Sequence, residues 1–221
     1  MITLIGASRF YRGRQGELKI ILQPTDLHFG GGEKIGILTA SGGGKSTLAR
    51  LLSGIDLPDL GSIRRQGRIS WPVGFAGILH PDLLVIENLN IIAGLLGENR
   101  RTFVGFCDSF AGLGDLLYAR MSRVTPAERA LLGYCCSLAV QYDMYISDEA
   151  FGVGSGDLRL KSEALFKQRL ASAGMIYLSS SPAYLEKHCD RYFCLLNGRL
   201  IGIDDPAIGA QALSLVSASR S

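Results

Sequence analysis

Apolar residues along this chain recur with two periods, and the alternation between those periods sets out the expected elements. Residues 1–11 and 18–27 read as strands joined by the turn-rich Arg12-Gly-Arg-Gln-Gly16, and together they predict a small β subdomain. Gly30-Gly31-Gly32 then turns the chain into Lys34-Ile-Gly-Ile-Leu38, which alternates like a buried strand. Leu48, Leu51, Leu52 and Ile55 follow at helical spacing, and Pro58-Asp-Leu-Gly61 turns the chain out of that helix. Residues 67–75 predict another strand. From 81 to about 133 the pattern is mainly helical, with residues 83–96 the most apolar piece, either a core face or a surface for a partner. Beyond it, residues 144–146 and 175–178 are strand-like and flank a helical 158–171, and residues 192–196 begin a hairpin across Asn197-Gly198. Strands alternating with helices predict an α/β sheet, with no internal repeat.

Between the strand and helix patterns lies Thr39-Ala-Ser-Gly-Gly-Gly-Lys-Ser-Thr47. A glycine-rich loop ending in Gly-Lys-Ser-Thr where a helix begins reads as a phosphate-binding P-loop. Gly42, Gly43 and Gly44 remove side chains that would block backbone approach to a triphosphate. Backbone N–H groups, the helix dipole and the Lys45 ammonium can together neutralise its charge. The Ser46 hydroxyl would complete a Mg2+ site with phosphate oxygens, water and a downstream carboxylate. One departure is visible: the full pattern begins with glycine, and here Thr39 must start the loop although a β-branched residue resists positive φ.

A second constellation, Met144-Tyr-Ile-Ser-Asp-Glu149, ends an apolar strand in two carboxylates. Alone it marks a solvated strand end. Beside a P-loop, Asp148 can hold the metal's water shell and Glu149 can orient or deprotonate a water aimed at the γ-phosphate.

Composition narrows the partners. The chain has 221 residues, enough for one large core or one core with a small subdomain, and its formal charge of +3 with no long basic run gives no case for nucleic acid. Cys107, Cys135, Cys136, Cys189 and Cys194 form no two-by-two metal spacing, and their odd number speaks against a complete disulfide framework, so they are expected as reduced core residues. No secretory apolar run and no stretch near the roughly 20 apolar residues of a membrane span is present. Cytosolic residence without membrane insertion is the expectation.

The order of P-loop, helical insert, Asp-Glu strand, Ser-Ser-Ser-Pro segment and terminal hairpin resembles the ATP-binding subunit of ABC transporters over nearly the whole chain. Within that superfamily, the stretch from Gly61 to Phe75 with its Trp71-Pro72, Glu87-Asn-Leu89, Tyr142 to Glu149 and Ser181 to Arg191 resemble the subunits that energise capsular polysaccharide export. The resemblance implies a P-loop NTPase of ABC type, with an antiparallel β subdomain and a helical subdomain at about 81–133 within a single domain over 1–221. It implies ATP and Mg2+ as ligands, contacted by Ser41, Gly42, Gly43, Gly44, Lys45, Ser46 and Thr47. Tyr11 of Phe10-Tyr11 falls where the family stacks an aromatic ring on adenine. Asp148 and Ser46 fall at the metal, Glu149 at the base, and His80 in the region where the family has a glutamine that senses Mg2+. The implied partners are a second nucleotide-binding subunit, as a homodimer, and an integral-membrane permease at the cytoplasmic face of a bacterial inner membrane.

More serious departures from the resemblance follow. The family's signature loop, usually Leu-Ser-Gly-Gly-Gln, falls on Val124-Thr-Pro-Ala-Glu128. In the family this loop caps the γ-phosphate bound to the opposite subunit. Thr125 keeps the hydroxyl, Pro126 removes one N–H, Ala127 narrows access and Glu128 adds negative charge. Thr-Pro-Ala-Glu is equally a plain helix start, with an N-cap, proline at the first position and a capping box. The switch histidine is replaced by Ser180 in Leu178-Ser-Ser-Ser-Pro182, and Ser155 stands where the capsule-type pattern has an aspartate. Loss of one γ-phosphate contact costs about 2.7–4 kcal/mol by analogy with oxyanion donors, so slow hydrolysis is expected. The preferred reading is a polysaccharide-exporter ATPase subunit. The alternatives are an ATP-dependent clamp or regulator with little hydrolysis, and, with less support, a small P-loop phosphotransferase.

Overall fold

The computed structural model describes residues 1–13 and 16–218, so the middle of the Arg12-to-Gly16 turn, Arg14-Gln15, lies outside the described residues. The elements in chain order are β1 (Ile2–Arg12), β2 (Leu18–Phe29), β3 (Lys34–Thr39), α1 (Lys45–Ser53), β4 (Leu60–Arg65), β5 (Ile69–Pro72), α2 (Val85–Leu96), α3 (Arg100–Ala111), α4 (Pro126–Leu138), β6 (Met144–Asp148), α5 (Gly156–Leu170), β7 (Gly174–Ser179), α6 (Pro182–His188), β8 (Arg191–Leu196), β9 (Arg199–Ile203) and α7 (Pro206–Ala218). They form two compact units, the first made of 1–72, 142–149 and 172–221, the second of 73–141 and 150–171.

The first unit carries both sheets. An antiparallel sheet of order β2-β1-β4 is the predicted β subdomain, and a six-stranded sheet of order β5-β6-β7-β3-β8-β9 is parallel up to β8, with β9 returning antiparallel. Strands buried on both faces need continuous apolar runs. The sequence supplies them in Ile35, Ile37 and Leu38 of β3, Met144 to Ile146 of β6 and Met175 to Leu178 of β7, all buried. One apolar core joins these strands to Ile2, Leu4, Leu22 and Phe29 of the small sheet through Leu48, Leu51 and Leu52 of α1. Each such side chain contributes about 1.5–3 kcal/mol of burial before entropy is counted.

Register then positions the chemistry. Asp148 of β6 is opposite Leu178 of β7, and Ser179 of β7 is opposite Leu38 of β3. Because these strands run the same way, the segments that follow their C-terminal ends emerge side by side at one edge. The hairpin between β8 and β9 turns on Asn197 and Gly198, both at positive φ, as the Asn-Gly pair predicts.

Several sequence expectations are corrected. The helix after the P-loop stops at Gly54, whose φ of 92° and N–H bond to Arg50 O end it, so Ile55 lies beyond α1 and is exposed. The strand expected over 67–75 is only β5, four residues long. β4 falls in a stretch given no strand, because Leu60-Gly-Ser-Ile-Arg-Arg65 is half exposed and its pairing with β1 supplies what its own pattern lacks. α7 was likewise outside the expected elements.

The second unit is helical. α2 buries Val85, Leu89, Ile92 and Ala93 and leaves Ile91 and Leu95 exposed, Leu95 at 83%. Its apolar stretch therefore serves a core on one face and stays uncovered on the other. α3 starts at Asn99, whose side chain accepts the Thr102 N–H at 3.0 Å, and ends at Gly112. The buried Tyr134 hydroxyl donates to the carbonyls of Ser162 (3.0 Å) and Phe151 (3.2 Å), tying α4 to α5 and the loop before it. All five cysteines are free and buried, as expected of reduced core residues, and burial pushes the Cys189 thiol up to about 12.

Gly61 and Gly6 provide a paired test of the small sheet. Both have positive φ, but a Cβ on Gly61 would lie 2.3 Å from the Gly6 carbonyl oxygen, whereas one on Gly6 would meet nothing within 4 Å. Gly6→Ala should cost only the left-handed strain, about 1 kcal/mol, and Gly61→Ala at least about 2 kcal/mol more, read by urea unfolding. Equal losses would show that the β1–β4 approach is looser than these contacts require.

Candidate functional site

The P-loop leaves β3 at Thr39, which stays in extended backbone; the left-handed positions fall on Gly42 (φ 70°) and Gly44 (φ 98°). The strain expected at Thr39 is thus absent, because the turn is made where there is no Cβ. Thr39 is buried, with its hydroxyl oxygen unpartnered. Gly44 is the N-cap of α1 and makes no side-chain cap, and no acidic residue occupies the first turn. The first N–H groups of α1 are therefore left for an anion, with Lys45 and Ser46 as its first residues. Lys19 of β2 donates to the Gly42 carbonyl at 3.3 Å and lines, with Ser41, Gly42, Gly43 and Asn197, an open cavity of about 760 Å³ beside the loop.

Opposite α1 stand the two carboxylates. Ser46 Oγ donates to Asp148 Oδ2, and Lys45 Nζ forms an ion pair with Glu149 Oε1. Ser180 adds its backbone N–H (3.1 Å) and its hydroxyl (2.6 Å) to the same Glu149 oxygen. Lys45 first, and Ser180 after it, hold the Glu149 carboxyl below the usual carboxylate range. Lys45, Glu149 and Ser180 are thus brought together, as are Ser46 and Asp148. Asp148 Oδ1 is buried with no hydrogen-bond partner. A buried, orphaned carboxylate oxygen beside a serine hydroxyl fits a hard cation that takes most of its ligands from phosphate and water, as Mg2+ does.

Tyr11 closes β1. Its phenol oxygen shares a 3.4 Å hydrogen bond with Thr47 Oγ1, and the Arg9 guanidinium lies over the ring, 4.9 Å from its centroid. The bond to Thr47, with help from Arg9, lowers the phenol pKa from its ordinary value. Asp59 anchors this corner by accepting Arg9 Nη1 (3.1 Å) and the Phe10 N–H (2.7 Å). Thr47 thus supports Tyr11 through its side chain. Arg9, Asp59 and Tyr177 were not singled out from the sequence. Arg9 and Asp59 are 50 positions apart and belong to no motif, and the β1–β4 pairing makes them neighbours.

The remaining expected site residues belong to the second unit. At Thr125, Oγ1 accepts the Glu128 N–H at 3.3 Å and donates to Glu128 Oε2 at 2.7 Å, and Oε2 also accepts the Thr125 N–H at 2.9 Å. This is a complete capping box, with Pro126 at the helix start, and the bonds from Thr125 lower the Glu128 pKa. Ala127 lies in the first turn of α4 behind it. His80 sits in a loop, its backbone N–H bonded to Asn88 Oδ1 (2.7 Å) and its Nδ1 accepting the Asp82 N–H (3.3 Å). Ser155 precedes α5 without capping it, and Asp157 lies in that helix's first turn.

Known proteins resemble the chain in sequence and in fold. The chain is 33% identical over 205 residues to the capsule polysaccharide export ATP-binding protein CtrD of Neisseria meningitidis serogroup B, covering 93% of this chain and 94% of that protein. It is 31% identical to the polysialic acid transport ATP-binding protein KpsT of Escherichia coli, covering 91% of each. The fold matches the dimeric, post-hydrolysis ATP-binding cassette MJ0796 bound to ADP and Pi with a TM-score of 0.72, over 90% of this chain and 96% of that one, at 18% identity. The ABC transporter family profile matches residues 22–152, which span the P-loop and both carboxylates. A P-loop facing an Asp-Glu strand end, in a fold and sequence of this kind, places the chain in the ABC transporter family.

Proposed function

We propose that this chain is the ATP-binding and ATP-hydrolysing subunit of an exporter of capsular or related cell-surface polysaccharide. It works as a homodimer of nucleotide-binding subunits beneath an integral-membrane permease, at the cytoplasmic face of a bacterial inner membrane. The observation that carries the reading is the convergence of Lys45 and Ser46 on Glu149 and Asp148, in a chain whose relatives over nine-tenths of its length are named for capsule export and polysialic acid transport. No helix among the described residues is long and apolar enough to cross a membrane, which agrees with a permease supplied by another chain.

In this mechanism Tyr11 offers the ring face away from Arg9 to adenine, and the amides of the P-loop with Lys45 bind the phosphates. Ser41 and the three glycines let the backbone approach. Ser46 and Asp148 would hold Mg2+, which when bound supplies charge neutralisation for the β- and γ-phosphates. Glu149 receives the proton of a water that attacks the γ-phosphorus. The bond from that phosphorus to the bridging oxygen breaks, and ADP leaves with the electron pair. His80 is assigned a secondary part near the metal, by its place in the sequence order. Thr125 and Ala127 are assigned to the γ-phosphate of the opposite subunit. The Thr125–Glu128 box supports slow turnover, since the hydroxyl and an N–H at this helix start are already engaged and Glu128 adds negative charge there.

Lys45→Ala should weaken Mg-ATP binding by about a hundredfold or more in calorimetry, as a paired charge is lost from the phosphate seat. Unchanged affinity would sink the P-loop assignment. Glu149→Gln should keep binding, lower phosphate release by about 10²–10⁴ and accumulate an ATP-bound dimer on light scattering. A variant that still turns over at the wild-type rate would remove Glu149 as the base. Glu128→Gln should raise turnover and strengthen ATP-dependent association, with the largest gain at low salt. No change at any salt concentration would show that this carboxylate does not oppose phosphate.

A further inference from the structure

Glu149 is one of two non-glycine residues at positive φ among the described residues, with φ 58°. A non-glycine residue held there costs of order 1–2 kcal/mol, so neighbouring groups must maintain it. Contacts that do so come from Lys45, from β7 and from the residue after it. The Glu149 N–H donates to Leu178 O at 3.0 Å, and the Tyr177 hydroxyl donates to Glu149 O at 3.4 Å. Ser180 gives its N–H and hydroxyl to Oε1. Lys45 shares that oxygen, yet Lys45 is also the cation of the phosphate-binding loop. When a triphosphate draws the ammonium away, Ser180 is left as the donor on the carboxylate.

We propose that the end of β7 is a brace for Glu149, with Ser180 fixing its carboxylate and Tyr177 its backbone after Lys45 has turned to phosphate. Ser180 is then a positioning residue acting through Glu149 rather than a contact to nucleotide. Tyr177 is a second one that no motif marks. The proposal rests on Glu149 as the base in the function argued above. It differs from a γ-phosphate role for Ser180 in what each substitution should do. A hydroxyl bonded to a carboxylate affects the step that uses the carboxylate, whereas a phosphate contact affects nucleotide affinity as well.

The test uses the full chain in two measurements. In steady-state Mg-ATP hydrolysis, Ser180→Ala should lower kcat about ten- to a hundredfold with KM within about twofold, Tyr177→Phe should lower it about threefold, and Ser180→Thr should recover most of the rate. In a Glu149→Gln background, Ser180→Ala should cause no further loss. A raised Mg-ATP dissociation constant in Ser180→Ala, or a penalty undiminished in that background, would assign Ser180 to the nucleotide and overturn the brace. The second measurement needs no turnover: amide exchange by NMR on the nucleotide-free chain should show the Ser180 N–H protected, and exchanging at least about tenfold faster in Glu149→Ala. Equal exchange in the two proteins would overturn the brace even if ATP is hydrolysed. A wild-type chain without turnover, whose Ser180 protection still depends on Glu149, would support the brace and refute the hydrolysis reading alone.

Discussion

The parallel pairing of β6, β7 and β3 is the constraint on which the site depends, because neighbouring strands lie about 4.8 Å apart and here end almost level. Asp148 and Glu149 leave one strand, Ser180 follows the next, and the P-loop leaves the third. Residues more than a hundred positions apart, such as Ser46 and Asp148, therefore meet without any long side chain having to reach. A slip of β6 by one residue against β7 would turn Asp148 to the opposite face and separate it from Ser46. What prevents that slip is apolar: Met144 and Ile146 share one core with Ile176, Leu178 and the leucines of α1. Burial of this core and placement of the charges are thus the same structural event.

The starts of α1 and α4 are built on opposite plans. α1 begins at a glycine with no side-chain cap and no acid in its first turn, so its positive end is available to an external anion. α4 begins with a threonine, a proline and a glutamate that satisfy one another completely. The first plan costs local helix stability and leaves a binding site. The second secures the helix and leaves its first polar groups engaged with one another. The difference lies in the caps alone: glycine leaves the N–H groups of α1 open, and the threonine–glutamate box closes part of those of α4.

A similar economy governs the corner at Tyr11. Tyr11 is partly exposed, and its position is fixed from one side by Arg9, Asp59 and Thr47. Asp59 does this by joining the chain after α1 to the end of β1, so the loop leaving the P-loop helix also sets the position of Tyr11.

How much of this could be read from the sequence follows from how local each signal is. The P-loop, the Asp-Glu strand end, the Asn-Gly hairpin and the Thr125 capping box are short patterns whose geometry is dictated by neighbouring residues, and they stand in the structure where they were expected. β4 escaped because a half-exposed strand beside another strand has little apolar pattern of its own, and Ile55 misled because helical spacing continues past a glycine that ends the helix. Sequence by itself determined the chemistry available: a lysine, two hydroxyls and two carboxylates in phosphate-binding contexts. Only the tertiary structure decided that Ser180 and Tyr177 act on Glu149 and that Arg9 lies behind Tyr11. Those contacts are set by strand order and register, which depend on the packing of the whole core rather than on any adjacent residues.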